Sequence, residues 1–168
     1  RVGVEFYVGR DFSKIDPKIM AEKSVKRSTE LLGGEPVVTG TYPVVFDEEM
    51  MATLLETFAS VFYANSVHEG RSLLKGKMGQ KVANELITIV DDALHPEGSS
   101  SRYFDSEGYP SQRTVLIEKG ELKSYLHNTK TALKDKVKST GNGSRSYKGS
   151  LGISPSNLIL EPGSNKVS

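Results

Sequence analysis

Residues 2–8 read Val-Gly-Val-Glu-Phe-Tyr-Val, a loose alternation of apolar and polar positions rich in β-branched and aromatic side chains, which predicts a half-buried strand. The period then lengthens. Asp16 can cap a helix with Pro17 at its first position, and Ile19, Met20, Val25 and the Leu31-Leu32 pair supply apolar positions until Gly33-Gly34 ends it. Residues 41–46 predict a second strand. Asp47 then caps a helix on which Met50, Met51, Leu54, Leu55, Phe58 and Phe62 recur at helical spacing, a stripe that reads as core. A further helical piece is predicted over residues 67–74, with Gly76 and Gly79 as terminators.

From Leu86 the texture turns to β. Residues 86–90 predict a strand, and Asp91-Asp92 opens a loop through Pro96, Gly98 and three serines. Residues 114–118 and 122–127 predict two strands joined by Lys119-Gly120-Glu121, a short hairpin in which glycine can take positive φ. A short helix over 129–136, a Gly- and Ser-rich loop over 139–147 and a last strand over 157–161 complete the order. Helices first and sheet later give an α+β class: N-terminal helices followed by a mostly antiparallel or mixed sheet with hairpins. The division expected is a helix-rich part, 1–80, and a β-rich part, 81–168.

Composition changes this picture in three ways. Lys and Arg total 22 against 21 for Asp and Glu, so the chain has no global positive field of the kind a dedicated DNA binder displays, and direct nucleic-acid contact is not expected. The basic outer face of the first helix, Lys18, Lys23, Lys26 and Arg27, reads as solvated. Zero cysteines remove disulfides and thiol catalysis and leave the redox compartment open. No apolar run approaches the roughly 20 residues of a membrane span, so a soluble piece is expected. The chain opens on Arg1 directly ahead of a strand pattern, which suggests a fragment that begins in mid-domain.

The segments with most chemical character are 104–122, Phe-Asp-Ser-Glu-Gly-Tyr-Pro-Ser-Gln-Arg-Thr-Val-Leu-Ile-Glu-Lys-Gly-Glu-Leu, and 138–143, Lys-Ser-Thr-Gly-Asn-Gly. With residues 70–79, Gly-Arg-Ser-Leu-Leu-Lys-Gly-Lys-Met-Gly, and 88–92, Thr-Ile-Val-Asp-Asp, they resemble in consistent order the central and C-terminal parts of the TldD/PmbA family, first described as modulators of DNA gyrase. The resemblance runs from about Glu5 to Pro162. It implies metal-dependent proteolysis and peptide maturation, a cytoplasmic location, and a whole protein considerably longer than this chain.

His68-Glu69 begins as a zinc-peptidase helix would, but Ser72 stands four residues on and Leu73 five residues on, where a second His would be needed. One His is an incomplete motif, and neither His95 nor His127 is placed by sequence to complete it. The family's metal-bearing branch resembles a His-Glu-x-x-x-His pattern, so its absence makes this chain similar to the other branch, TldE or PmbA. That resemblance implies a non-catalytic subunit with no catalytic residue or metal of its own, helping to form the peptide cleft. Its implied partners are a TldD-like paralogue, where zinc is expected, and a peptide or unfolded protein substrate, in a homo- or hetero-oligomer. A regulatory protein acting on gyrase or a related protein target without proteolysis is the alternative.

Asp105 and Glu107, two residues apart, invite an acid–base reading, but Gly108 and Pro110 favour a turn in which the carboxylates bond local backbone. The loop with Lys138, Ser139, Thr140, Gly141, Asn142 and Arg145 lacks phosphate-loop spacing. It reads first as a structural turn, and second as backbone N–H groups flanked by cationic anchors that could hold a peptide or carboxylate.

Overall fold

The computed structural model describes residues 2–30 and 32–163. The chain divides into two compact units, 1–46 and 47–168.

In the first unit Asp16 caps helix α1, Pro17–Thr29, by accepting from the Lys18 and Ile19 amides. The helix forms where its cap and Pro17 predict it. Leu31, offered above as one of its apolar positions, lies outside the described residues. Residues 3–5 lie along α1: Ser24 Oγ donates to the Gly3 carbonyl at 2.7 Å, and Glu5 meets Arg27 at 3.0 Å and Lys23 at 3.5 Å. A Cβ on Gly3 would fall 2.0 Å from the Ser24 carbonyl oxygen, so only glycine permits this approach. The strands expected at 2–8 and 41–46 are not formed. Their alternation supplies a face but no ladder partner, and an unpaired strand has no hydrogen bonds to hold it.

The second unit opens with α2, Glu48–Phe58, capped by Asp47 through the Met50 amide at 2.7 Å. A 3-10 turn, Ala59–Phe62, leads into the short α3, Ala64–His68, which ends well before the predicted residue 74. The stripe on α2 is not a buried core face. Met50 and Phe58 are exposed, Met51, Leu54 and Leu55 are half-buried, and Phe62 alone of the six is buried.

Behind α2 stands a four-stranded antiparallel sheet in the order β3-β2-β1-β6, built from β1, Ile89–Asp92, β2, Arg113–Glu118, β3, Glu121–Leu122, and β6, Leu158–Leu160. β2 and β3 form the predicted hairpin, with Lys119 at φ 45° and Gly120 at φ 80° turning the chain. The strand predicted over 122–127 stops at Leu122, because Leu126 instead bridges Tyr63 in parallel and Lys123 returns its amide to Leu116. Helix α4, Thr129–Asp135, carries the capping box of Asn128 and Thr131. A two-stranded pair, β4, Gly143–Ser144, and β5, Gly152–Ile153, forms partly within the stretch expected to be loop. Phe62, Ala64, Val67, Ile89, Leu116, Ile117, Leu122, Tyr125, Leu126 and Ile153 make one core, joining α3 to the sheet.

The two outer strands differ. β3 is covered, since the Gly79 amide donates to the Leu122 carbonyl and the Leu122 amide to the Gln80 carbonyl. β6 is not. Its residues 157, 159 and 161 bond towards β1, with the Asp92 amide on the Asn157 carbonyl and the Glu161 amide on the Thr88 carbonyl. The N–H and C=O groups of Leu158 and Leu160 therefore point away from the sheet.

Asp105 fixes the turn that joins β1 to β2. Its Oδ1 accepts from the amides of Glu107 at 2.8 Å and Tyr109 at 2.9 Å, and its Oδ2 from Gly143 at 2.8 Å. It is 4% exposed. Replacing it with alanine strands three amides, and a loss of about 2 kcal/mol is expected in a urea unfolding experiment, after allowing for release of a buried carboxylate. No change in midpoint would show that the turn holds without it.

Candidate functional site

The 138–145 loop points most of its chemistry inward. Ser139, Thr140, Gly141 and Asn142 are buried. Thr140 Oγ1 accepts from the His127 amide at 2.7 Å and lies 2.6 Å from Asn142 Oδ1, while Ser139 Oγ donates to the His127 carbonyl at 3.2 Å. Asn142 Nδ2 donates to Asp91 Oδ2 at 2.6 Å and to the Ser154 carbonyl at 3.1 Å. Asp91 Oδ1 in turn accepts from Ser156, both the amide at 2.7 Å and Oγ at 3.0 Å. Asp91, which an acidic strand end would leave in solvent, is 1% exposed and ties β1 to the 140s loop and to the approach to β6. Burial pushes its carboxyl above the usual range, opposed by the hydrogen bonds from Asn142 and Ser156. Cross-strand from it stands Thr114, also buried, so the polar side chains of the sheet share this position.

Of the other residues singled out in the sequence, Glu107 accepts the Thr129 amide at 2.7 Å and so supports the start of α4. Lys138 and Arg145 are exposed, and the Arg145 amide donates to Ser106 Oγ at 3.2 Å. Glu69 pairs with Arg71 on the surface.

His68 is brought to two partners that spacing could not reveal. Its Nε2 lies 2.7 Å from Asp135 Oδ1, and the Asp135 carboxylate also stands 4.0 Å from Nδ1 of His127, a buried nitrogen without a hydrogen-bond partner. A metal is the obvious test for such a cluster, but one carboxylate oxygen is already committed to His68. Among the described residues no group of three His, Asp or Glu side chains is placed to hold an ion. The donor set does not fit a zinc site.

Burial pulls the His127 pKa below its usual 6.5, against the attraction of Asp135. The unfolded chain therefore takes up a proton at higher pH than the folded one. This group's contribution to stability is full above pH 6.5 and falls as pH drops below it, by at most about 1.4 kcal/mol per pH unit. Urea midpoints between pH 8 and 5 should show this slope, and His127→Gln should flatten it; an unchanged slope in that variant would assign it elsewhere.

A concavity lies between α2 and β6. About 810 Å³ in volume, it is walled by Met51, Leu55 and Ala59 on one side and by Leu158, Ile159 and Leu160 on the other. Glu48 and Glu56 also line it, with Tyr63, Ser154 and Ser156 as hydroxyl groups. The unpaired backbone of β6 borders this groove. Sequence reasoning missed the groove because it treated the α2 stripe as buried; the half-burial of Met51 and Leu55 is what leaves room.

The profile described as PmbA/TldA metallopeptidase C-terminal domain matches residues 39–168. The chain belongs to this family. PmbA/TldA relatives include a metalloprotease of Methanocaldococcus jannaschii, 32% identical over 164 residues, which cover 96% of this chain and 36% of that protein. A metalloprotease TldD homolog of Buchnera aphidicola is 33% identical over 86% of this chain and 31% of its own. Among solved structures, a Thermotoga maritima protein that carries a DNA gyrase modulator name superposes with a TM-score of 0.85 at 37% identity, covering 92% of this chain and 35% of that one. TldE from Thermococcus kodakarensis gives a TM-score of 0.60 at 30% identity over 67% of this chain and 27% of its own. The chain thus spans about a third of the length of the relatives it matches. Among the described residues, no helix is long and apolar enough to cross a membrane.

Proposed function

We propose that this chain is part of a TldE/PmbA-branch subunit of a TldD/TldE-type metalloprotease, one that lines the peptide cleft and leaves the metal to a TldD-like partner. The observation that carries this reading is the groove beside a strand whose outer edge is unpaired among the described residues. β6 offers two N–H and two C=O groups to an extended peptide, as in strand addition to a sheet edge. The walls accept apolar side chains, and Glu48 and Glu56 favour a peptide with basic groups at its flanks. Peptide maturation, a cytoplasmic location and assembly as a heteromer belong to the same reading. Lys138 and Arg145, the exposed members of their loop, are its proposed partner contacts. The family metal is consistent with zinc in the partner, where it would activate water for attack on a peptide carbonyl.

The test is metal content and peptidase activity of the full-length protein, alone and mixed with its metal-motif paralogue. A metal-free, inert protein that becomes part of an active mixture is the expected result; stoichiometric metal and cleavage by the lone protein would sink the proposal. Leu160→Pro supplies a second check. It removes an outward N–H without touching the ladder to β1, so peptide cleavage by the mixture should fall at least about tenfold, read where the urea midpoint shows the variant still folded because Leu160 packs partly against the core. Gyrase modulation without proteolysis is the alternative, and a mixture that never cleaves but alters gyrase activity would favour it.

A further inference from the structure

A second cavity, of about 310 Å³, opens between α3 and α4 and shares no lining residue with the β6 groove. Asn65, His68 and Glu69 line it from α3, Lys130 and Lys134 from α4, and Leu151 from the segment before β5. Lys130 and Lys134 sit one turn apart on the same helix face. Among the described residues neither has an ion-pair partner. Of the other side chains in the lining, His68 meets Asp135 and Glu69 is matched by Arg71. The cavity therefore has two uncompensated cations. Asn65 also lines it, and its Oδ1, tucked out of solvent contact, has no hydrogen-bond partner among the described residues. No side-chain bond holds that amide, so it can turn into the cavity without losing one.

A ligand that satisfies this set needs an anionic group for the lysines, an N–H donor for the Asn65 oxygen and a small apolar portion for Leu151. We infer that the cavity binds the C-terminal carboxylate of a peptide. The terminal carboxylate spans Lys130 and Lys134, the last amide N–H donates to Asn65, and an apolar last side chain lies against Leu151. The volume stands at the lower end of ligand cavities, about 300–1,000 Å³, which suits one or two terminal residues and excludes a longer segment. The nearby Glu69 carboxylate disfavours a dianion such as phosphate over a single carboxylate. Capture of a peptide C-terminus here is distinct from catalysis and holds whether or not the β6 groove serves a protease.

The test uses the full chain without partner or metal, so its outcome does not depend on the protease reading. N-acetyl-Gly-Ala-Leu is titrated as the free acid and as the C-terminal amide, by calorimetry and by the NMR signal of the Asn65 side-chain amide. Saturable binding of the acid with movement of the Asn65 signal, and binding of the amide at least about tenfold weaker, is expected. The double substitution Lys130→Gln, Lys134→Gln should weaken the acid by about tenfold or more, while Lys130→Arg, Lys134→Arg retains it. Both positions are on the surface, and an unchanged urea midpoint confirms that the fold is kept. Equal affinity for acid and amide, no saturable binding at millimolar peptide, or insensitivity to the Gln pair would each overturn the inference. Inorganic phosphate binding more tightly than the acid would also overturn it, leaving a simple anion site.

Discussion

Gly141→Ala is expected to destabilise the protein by about 3–4 kcal/mol, read as a large drop in urea midpoint. Two effects add. Gly141 has φ 74°, a left-handed conformation that costs a residue with a Cβ about 1–2 kcal/mol. The new methyl would also fall 2.7 Å from the Pro110 carbonyl oxygen and 3.3 Å from Ser111 Cα, both backbone atoms that cannot swing aside, and such overpacking costs about 1–3 kcal/mol. Gly108 separates the two, since it has φ 77° with nothing within 4 Å of its Cβ position. Gly108→Ala should lose only the conformational part. If both variants fall equally, the Pro110 contact has relaxed and the steric half of the argument is wrong.

Asp91→Ala is expected to cost about 3–5 kcal/mol, as removal of one partner from a buried charged network does. The Ser156 amide and hydroxyl lose their acceptor and Asn142 loses the shorter of its two bonds. Against this stands relief of a carboxylate that burial already disfavours, which is why the net is less than three charge-assisted bonds would sum to. Asp91→Asn discriminates between charge and geometry. Its carboxamide can still accept from Ser156, but it then presents an NH2 to the NH2 of Asn142, whose Oδ1 is committed to Thr140. About half the alanine penalty is expected. Because Ser154 and Ser156 also line the β6 groove, both variants should weaken peptide binding there as well as stability. A destabilised variant with wild-type peptide affinity would show that the groove wall is held by other contacts.

Local signals were the legible ones. Asp16 and Asp47 each mark a helix start because the bond that stabilises it lies within three residues. The Lys119-Gly120 hairpin and the strands at β1, β2 and β6 were readable for the same reason, and the α+β class with them. The strands read at 2–8 and 41–46 failed because alternation names a face without providing a neighbour. The Asp105 turn was foreseen from Gly108 and Pro110, whereas burial of Asp91 was not, since its partners Asn142 and Ser156 lie 51 and 65 residues away. Opposite Thr114 on β2 was the one hint, a polar residue facing a polar residue across a ladder. His68 was read as half a motif. That its ring would meet Asp135, and through it His127, depended on the packing of α3 against α4 and not on any spacing.

The uncovered edge of β6 has a cost as well as a use. Natural sheets guard such edges with lysine, proline, a bulge or an inward charge, and Leu158-Ile159-Leu160 has none of these; the first proline comes at Pro162, beyond the strand. Two copies meeting edge to edge would each satisfy the other's backbone and bury the leucines. Where no further segment or partner lies along it, this edge is a template on which a second copy can pair.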